Sequence, residues 1–267
     1  MAMQQVALVT GSSSGIGAAI ASQLARDGYL VFGGSRRAKS PTGTEALPLD
    51  VCSDESVRAC VNTIVDRTGR LDVLVNNAGQ LIAGAIEELT LDQARSQFET
   101  NFFGVARSVL AVLPQMRKQR SGKIVTLSSL AGMVPVPFWG YYNASKFAVE
   151  GYSETLRAEL KPLGISVSMV EPGAIGTSLY AQPQAVKMDA YTPWRDRALQ
   201  TMKGFETKAP SPEVVARAVS QIVAKSHPPL RTLVTSEAFA FTTMRRLLSD
   251  GLFESAVRFG FALDRGR

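Results

Sequence analysis

The sequence predicts an α/β protein in which helices cover both faces of a doubly wound, seven-stranded parallel sheet. Short runs rich in Val, Ile and Leu recur along the chain and alternate with longer amphipathic stretches. This alternation is typical of parallel strands that are buried between two layers of helices. A glycine-rich segment from Gly11 to Gly17 separates the first apolar run from the first amphipathic stretch, and glycines allow the tight turn that this connection requires.

Apolar runs with the length and composition of strands alternate with stretches of helical periodicity. In chain order the predicted strands are Val6–Thr10, Leu30–Ser35, Ala46–Leu49, Val73–Asn76, Lys123–Ser128, Ser166–Val170 and Arg231–Thr235. The predicted helices are Gly15–Asp27, Ser53–Arg67, Leu91–Arg120, Tyr142–Leu163 and Pro212–Lys225. A doubly wound fold of this order binds its ligands beyond the carboxyl ends of the strands.

No internal repeat or linker-like composition divides the 267 residues, so residues 1–236 are predicted to form one domain. Residues from about 176 to 210 interrupt the alternation with prolines and aromatic side chains. We predict a substrate lid there, because long irregular segments in compact domains are usually functional, and a plain connection is the alternative. Residues 237–267 mix aromatic residues with arginines such as Arg265 and Arg267. They predict a helical extension packed on the same domain, with peripheral membrane contact as the alternative.

The composition excludes several classes of protein. Cys52 and Cys60 are too few for a disulfide framework and lack the spacing of a metal site. His227 is the only histidine, so no metal centre is predicted.

The formal net charge of +6 comes from scattered lysines and arginines, with short clusters only at Arg36–Arg37 and Arg117–Arg120. A solvated basic surface is therefore predicted, and a nucleic-acid partner is not. No apolar stretch approaches the roughly 20 residues that cross a bilayer, and the first residues lack the pattern of a signal peptide. We expect a soluble, cytoplasmic protein.

The segment Thr10-Gly11-Ser12-Ser13-Ser14-Gly15-Ile16-Gly17 ends the first predicted strand and begins the first predicted helix. Its glycines let the main chain approach a pyrophosphate, which the amide groups and dipole of the helix then bind. The segment predicts the dinucleotide site of a Rossmann fold. Gly11, Ser13 and Gly15 also match the Gly-x-Ser-x-Gly turn of serine hydrolases. That alternative is remote, because a hydrolase using Ser13 would depend on His227.

The end of the second predicted strand indicates which dinucleotide is bound. NAD-binding folds normally place an Asp or Glu there to hold the ribose hydroxyls. Here the position is Ser35, and Arg36 and Arg37 follow it. A guanidinium binds a 2′-phosphate that a carboxylate would repel, so NADP(H) is predicted, with Arg36 as the better candidate. The alternative is that both arginines are ordinary surface charges.

Tyr142 and Lys146 are four positions apart in a predicted helix, so their side chains share one face. A tyrosine, whose pKa is ordinarily ~10, is a poor acid-base catalyst at neutral pH unless an ammonium stabilises its phenolate. Lys146 supplies that charge. Tyr141 is not the candidate, because the residue four positions after it is Ser145, which carries no charge. The pair predicts proton transfer by Tyr142, and an ordinary helix-surface pair is the alternative.

These features occur together with others in the order found in one family. From Val6 to about Thr235 the chain resembles the short-chain dehydrogenase/reductase family. The matching blocks are Thr10-Gly11-x-x-x-Gly15-Ile16-Gly17, Asp50-Val51, Asn76-Asn77-Ala78-Gly79, Asn101, Ser128-Ser129, Tyr142-x-x-x-Lys146 and Pro172-Gly173-x-Ile175-x-Thr177.

The resemblance implies a catalytic group of Asn101, Ser129, Tyr142 and Lys146. Ser129 would hold the substrate oxygen against Tyr142, with Ser128 as its structural neighbour. Tyr142 would transfer the hydroxyl proton while hydride moves between nicotinamide and substrate. Lys146 would bind the nicotinamide ribose and lower the pKa of Tyr142. Asn101 would hold a water of the proton relay through a local helix distortion, although an Asn in a helix is often only structural.

The resemblance also implies where the cofactor lies. Its pyrophosphate would contact the glycine-rich turn, and its adenine would meet Asp50 and Val51, although Asp50 could instead cap a helix. The remaining contacts would fall on two segments. Asn77, Ala78 and Gly79 would lie beside the adenosine ribose, and Pro172, Gly173, Ile175 and Thr177 beside the nicotinamide carboxamide.

The substrate is predicted to be apolar, because apolar residues dominate the approach to Tyr142 from Met133 to Trp139. The predicted lid adds Tyr180, Met188, Tyr191, Trp194 and Phe205, although these side chains could simply pack on the core. The block from Tyr142 to Gly151 is similar to the branch of the family that contains 17β-hydroxysteroid and retinol dehydrogenases. That likeness implies a steroid- or retinoid-like alcohol or carbonyl compound.

Two other functions stay open at this point. One is a ketoacyl-thioester reductase, and the other is a non-catalytic NADP(H)-binding sensor or scaffold on the same fold. The resemblance further implies a homodimer or homotetramer that pairs through the helices predicted at Leu91–Arg120 and Tyr142–Leu163.

Overall fold

The computed structural model describes residues 4–177, 181–182 and 186–264. Seven parallel strands form the main sheet in the order β3-β2-β1-β4-β6-β7-β9, and β5 pairs with β8 in a separate two-stranded sheet. The strands are β1 Val6–Thr10, β2 Leu30–Ser35, β3 Glu45–Pro48, β4 Val73–Asn76, β5 Leu81–Ile82, β6 Gly122–Leu127, β7 Ile165–Glu171, β8 Ala181–Gln182 and β9 Arg231–Leu233. The predicted doubly wound, seven-stranded parallel sheet is confirmed.

The α-helices of the described residues lie on both faces of the sheet and around its carboxyl edge. They are α1 Gly15–Arg26, α2 Asp54–Thr68, α3 Leu91–Phe98, α4 Gly104–Gln119, α5 Gly140–Leu160, α6 Thr192–Thr207, α7 Glu213–Ala224, α8 Ser236–Leu247 and α9 Asp250–Gly260. None of the described helices is long and apolar enough to span a membrane.

The structure corrects two predicted elements. The helix predicted at Leu91–Arg120 is not continuous, because a π-helical segment at Glu99–Phe103 separates α3 from α4. The last strand ends at Leu233 instead of Thr235, because the Thr235 side chain caps α8 by accepting a hydrogen bond from Ala238 N.

Alternate residues of the strands point to opposite faces, as the pleat of a strand requires. Leu8 packs with α2, α4 and α5 on one face, and Val9 packs with α1 and α7 on the other. Each fully buried aliphatic side chain of this kind stabilises the fold by ~1.5–3 kcal/mol.

A third apolar cluster lies at the carboxyl edge of the sheet. It joins Tyr142 of α5 to Met202 of α6, to Phe253 and Val257 of α9, and to Phe261. The chain beyond β9 thus packs against the element that carries Tyr142. Tyr180, Arg265 and Arg267, which entered the lid and extension predictions, lie outside the described residues.

Candidate active site

The turn between β1 and α1 depends on glycine at three positions. Gly11 and Gly15 have positive φ values of 69° and 56°, which L side chains rarely adopt. A Cβ on Gly17 would lie 2.3 Å from both Asn77 Nδ2 and the Gly11 carbonyl oxygen. The segment therefore brings bare main chain to the N-terminus of α1, where amide groups and the helix dipole favour an anion.

Thr10 and Asn77 tie this turn to the end of β4. The buried Thr10 Oγ1 accepts hydrogen bonds from Asn77 N at 3.0 Å and Ala78 N at 3.1 Å. Asn77 Nδ2 donates to Thr10 O at 2.9 Å and to Gly11 O at 3.2 Å. Asn77 thus positions the glycine-rich turn. No role of Thr10 in holding the turn was predicted, although Thr10 is a polar residue that ends an apolar strand directly before a glycine.

The end of β2 presents charge to the cavity. The buried Ser35 hydroxyl accepts from Lys39 N and donates to Lys39 O, both at 2.9 Å, so it is fully used by the loop. Arg36 and Arg37 are exposed and line the same cavity as the glycine-rich turn. These positions are compatible with the predicted recognition of a 2′-phosphate.

Asp50 and Val51 also line this end of the cavity. The alternative that Asp50 caps a helix is wrong, because Ser53 caps α2 by accepting a hydrogen bond from Ser56 N at 3.2 Å. Asp50 Oδ1 instead accepts from Cys52 N at 3.0 Å and shapes the loop that follows β3.

Tyr142 and Lys146 lie on one face of α5 and are both 7% exposed. Burial raises the pKa of Tyr142 to about 12, and a hydrogen bond with Ser129 opposes the rise. Burial lowers the pKa of Lys146 to about 8, against the opposing effect of Glu150. Lys146 Nζ lies 5.8 Å from the centre of the Tyr142 ring and donates to Leu127 O at 2.7 Å. Burial is thus the main influence on the pKa of Tyr142 in this structure, and the lowering of that pKa by Lys146 stays a prediction.

Ser129 follows β6 and begins a 3₁₀ turn at Leu130–Gly132, where its Oγ accepts from Ala131 N at 3.1 Å. Its hydrogen bond with Tyr142 brings the two hydroxyls together in the cavity. Ser128 Oγ, in contrast, is buried without a hydrogen-bond partner in the described structure, and it lies 2.8 Å from the position of a Cβ on Gly132. Of the two serines, Ser129 is the one paired with Tyr142.

Asn101 lies within the π-helical segment, so the predicted helix distortion is present. Its side chain is almost fully buried and does not line the cavity. The amide Nδ2 donates to Gln80 O at 2.9 Å and Ser145 Oγ at 3.1 Å, and Oδ1 accepts from Gln80 N at 2.8 Å. The side chain thus ties Gln80 to α5, and a water contact of Asn101 stays a prediction.

The turn after β7 contacts the residue that follows Ser129, the start of α8 and the glycine-rich turn. Pro172 O accepts from Leu130 N at 2.8 Å, and Gly173 N donates to Thr235 Oγ1 at 3.2 Å. Ile175 is buried and lines the cavity. The Thr177 side chain lies 3.6 Å from the position of a Cβ on Gly15, so it is placed next to the glycine-rich turn.

One cavity of about 800 Å³ is lined by the glycine-rich turn, Arg36, Ser129, Tyr142 and Lys146. Every residue predicted to contact the cofactor lines this cavity: Gly11, Ser13, Ser14, Gly15, Ile16, Gly17, Arg36, Arg37, Asp50, Val51, Asn77, Ala78, Gly79, Tyr142, Lys146, Pro172, Gly173, Ile175 and Thr177. Another part of the lining is mainly apolar and consists of Leu81, Val136, Trp139, Met202, Phe205, Glu237, Phe241 and Phe261. The Trp139 and Tyr142 rings meet edge to face at 5.4 Å between centroids.

The predicted lid contributes differently from the sequence-based expectation. Phe205 lines the cavity, but Met188, Tyr191 and Trp194 do not, and Trp194 is 44% exposed. Met202 of α6, which was not predicted, lines the cavity instead. The α6 helix was not predicted because Pro193 and the aromatic residues obscure the periodicity of the face that packs inward.

A buried ion pair holds α6 to the body of the protein. Arg195 is paired with Glu88 of the 3₁₀ turn Ile86–Glu88, and the two side chains are 2% and 0% exposed. The Glu88 carboxylate also accepts from Met188 N and Ala85 N, each at 2.9 Å. Burial acts to raise the pKa of Glu88, but these N–H groups and the guanidinium outweigh it and lower the pKa.

The described residues contain no group of three or more side chains suited to a metal. The serine hydrolase alternative lacks its base, because His227 is exposed and does not line the cavity that contains Ser13.

Known proteins share both the sequence pattern and the fold. The sequence profile of the family described as short chain dehydrogenase matches residues 5–186. The chain is 38% identical over 265 residues to 3-ketodihydrosphingosine reductase of Bacteroides thetaiotaomicron, covering 97% of this chain and 98% of that protein. It is also 38% identical over 275 residues to retinol dehydrogenase 8 of Homo sapiens, covering 94% and 88%. The chain therefore belongs to the short-chain dehydrogenase family and is an oxidoreductase.

Solved structures agree with this assignment. A short-chain dehydrogenase from Streptomyces avermitilis superposes with a TM-score of 0.84 at 34% identity, and each chain is covered completely. An alcohol dehydrogenase from Thermococcus sibiricus complexed with 5-hydroxy-NADP has a TM-score of 0.70 at 25% identity, covering 86% of this chain and 95% of that chain. A family member from Burkholderia phymatum in complex with NAD has a TM-score of 0.77 at 25% identity, covering 91% and 93%. Neighbours of this fold thus bind NAD or NADP.

Proposed function

We propose that this chain is an NADP(H)-dependent oxidoreductase that interconverts an alcohol and its ketone or aldehyde, with an apolar substrate. The observation that carries the proposal is one cavity that is lined by the glycine-rich turn, by the hydrogen-bonded Tyr142–Ser129 pair and by a group of apolar side chains. Retinol dehydrogenase 8 and 3-ketodihydrosphingosine reductase, by their names, act on molecules with large apolar parts.

The residues present fit a dinucleotide. Gly17 has no room for a side chain beside Gly11 and Asn77, so main-chain amides of the turn are available to a pyrophosphate. NADP(H), when bound, supplies or accepts the hydride. Gly173 and Ile175 would hold the nicotinamide end, and Asp50 and Val51 would meet the adenine.

Tyr142 and Ser129 would bind the substrate oxygen, and Tyr142 would transfer its proton. Because burial raises the pKa of Tyr142 to about 12, its hydroxyl is protonated at neutral pH and can donate to a carbonyl oxygen during reduction. The Ser129 hydroxyl, already paired with Tyr142, would hold that oxygen in place. In the oxidative direction Tyr142 would accept the proton of the alcohol.

Lys146 would support the proton transfer. With its pKa lowered to about 8, the amine can exchange a proton near neutral pH. A nicotinamide ribose would compete with Leu127 O for its Nζ, and a protonated Lys146 near the ring would stabilise the phenolate. Asn101 would help to position Tyr142 and Lys146, because its side chain binds Ser145 of the same helix and Gln80.

Arg36 favours NADP(H) over NAD(H) because it is exposed at the cavity edge beside a serine instead of a carboxylate. We expect Arg36→Asp to reverse the preference, since a carboxylate repels the 2′-phosphate and accepts ribose hydroxyls. The measurement is kcat/KM with NADPH and NADH, with Arg58→Asp as a control on an exposed arginine of α2 outside the cavity. An unchanged ratio in Arg36→Asp would show that another residue selects the cofactor.

The mechanism is tested by Tyr142→Phe beside Tyr141→Phe. Loss of the Tyr142 hydroxyl removes the proton donor, and such general acids typically contribute ~10²–10⁴-fold to the rate. We expect that loss in turnover of an apolar carbonyl panel with NADPH, with cofactor affinity retained, and near-normal activity for Tyr141→Phe. Near wild-type turnover by Tyr142→Phe would exclude this mechanism, whereas cofactor binding without turnover by the wild type would favour a sensor or scaffold.

A further inference from the structure

One carboxylate lies at the substrate end of the cavity, and the proposed mechanism does not use it. Glu237 is in the first turn of α8, two residues after the capping residue Thr235. The Thr235 hydroxyl accepts hydrogen bonds from Gly173 N at 3.2 Å and Ala238 N at 3.4 Å. These bonds fix the start of α8 against the turn after β7, so Glu237 is held near the predicted nicotinamide site.

The charge of Glu237 is not neutralised within the part of the chain that the structure describes. Its side chain is half-buried, and its carboxylate accepts a hydrogen bond only from Ser236 Oγ, at 3.4 Å. No described lysine or arginine forms an ion pair with it. Asp50, the other carboxylate of the cavity, lies at the adenosine end and is engaged by Cys52 N.

The surroundings of Glu237 at this end are apolar and aromatic. Phe241 lies one helical turn further along α8, and Phe261 lies just after α9. The Phe261 ring is 6.5 Å, between centroids, from both Phe241 and Phe205, so three elements form one aromatic wall. An unpaired carboxylate beside such a wall favours a ligand that carries a cation next to a long apolar chain.

We propose that Glu237 binds the ammonium group of a long-chain amino ketone or amino alcohol, whose aliphatic chain packs on the aromatic wall of Phe205, Phe241 and Phe261. This inference rests on the proposed function and names its substrate class. 3-Ketodihydrosphingosine, which appears in the name of one relative, is a compound of this chemical class. In the reduction the carbonyl carbon receives the hydride and the oxygen receives the proton of Tyr142, while the amine is unchanged.

A carboxylate in the first turn of a helix also stabilises that helix through its dipole. If Glu237 had only this structural role, its substitution would weaken folding or would change the turnover of all substrates to the same extent. Recognition of an ammonium group predicts instead an effect that depends on the amine of the substrate.

The test compares two ketones of equal chain length with NADPH as the reductant. One is 3-ketodihydrosphingosine, and the other is its analogue without the amino group. Glu237→Gln keeps the size of the side chain and removes the charge. The matched control is Glu254→Gln, an exposed glutamate of α9 that does not line the cavity.

We expect Glu237→Gln to raise KM for the amino ketone by about tenfold or more, the effect of losing one favourable charge pair. KM for the amine-free ketone should stay within about twofold, and Glu254→Gln should change neither. Equal effects of Glu237→Gln on both ketones, or none on either, would overturn the inference while leaving the proposed function intact. Failure of the wild type to reduce any carbonyl compound would instead refute the proposed function.

Discussion

Replacing Gly17 with Ala is expected to weaken NADPH binding without unfolding the protein. The new Cβ would lie 2.3 Å from Asn77 Nδ2 and from Gly11 O, whereas ordinary contact begins at 3.4 Å. The atoms must therefore separate by about 1 Å. Asn77 can rotate away only by losing its hydrogen bonds to Thr10 O and Gly11 O, and Gly11 O belongs to the main chain of the turn. The anion site itself must therefore move.

The size of the effect follows from that displacement. A misplacement of ~1 Å in a positioned site can lower a catalytic rate by about 10²-fold, and we expect a rise of comparable size in Kd for NADPH. The unfolding free energy is affected differently. Ala is more favourable than Gly by ~1 kcal/mol inside a helix, so helix propensity offsets the strain of the new contact. Global stability should therefore change little while NADPH binding is weakened.

Fluorescence titration with NADPH and urea unfolding measure these two quantities. Gly151→Ala is the matched control, because Gly151 also lies inside a helix and a Cβ there meets nothing within 4 Å. We expect the control to bind NADPH like the wild type and to gain up to ~1 kcal/mol in unfolding free energy. A Kd of Gly17→Ala within about twofold of wild type would refute the assignment of this turn.

Three further predictions concern stability and assembly. Glu88→Gln leaves Arg195 buried without its counter-charge, so the unfolding free energy in urea should fall by ~3–5 kcal/mol. Burial and the charge of Glu150 raise the pKa of Glu171 to about 8, so the folded state retains a proton that the unfolded state loses, and stability should decrease as pH rises from about 5 to 8. We also expect a homodimer or homotetramer, and Leu110→Glu, at a 65% exposed position of α4, should lower the mass measured by light scattering.

Each of these predictions has a control. Glu159→Gln, at an exposed position of α5, should leave the urea midpoint unchanged, and an equal loss in both variants would contradict the ion-pair argument. Glu171→Gln should flatten the pH dependence of stability, and an unaltered slope would assign it to other groups. Leu252→Glu, at a 62% exposed position of α9, should keep the wild-type mass if α4 provides the interface.

The cofactor half of the site could be predicted because its signals are local. The turn at Gly11 and Gly17 needs main-chain conformations and spaces that only glycine meets, and the interval between Tyr142 and Lys146 places them on one helical face. Even there, the role of Asn77 depends on Thr10, which lies on a different strand. Pairing between strands is set by the whole sheet and has no short-range signal.

The substrate half could be predicted only in character. Its apolar nature was expected, but Met202, Phe241 and Phe261 were not identified, because the inward face of α6, α8 and α9 is decided by packing against distant elements. Glu237 was also missed. A glutamate in the first turn of a helix is common, and only the contact between Thr235 and Gly173 places this one beside the active site.

The apolar end of the cavity and the pKa of Tyr142 are connected by packing. Met202 and Phe261 belong to the same buried cluster as Tyr142, so the elements that make the substrate end apolar also exclude water from the tyrosine. That burial is the main cause of its raised pKa, and it keeps the hydroxyl protonated until a substrate oxygen arrives. Substitutions that admit water to this cluster, such as Phe261→Ala, should therefore change substrate selection and also lower the pKa of Tyr142. In contrast, the glycine-rich turn is held by Thr10 and Asn77, so cofactor affinity should be preserved.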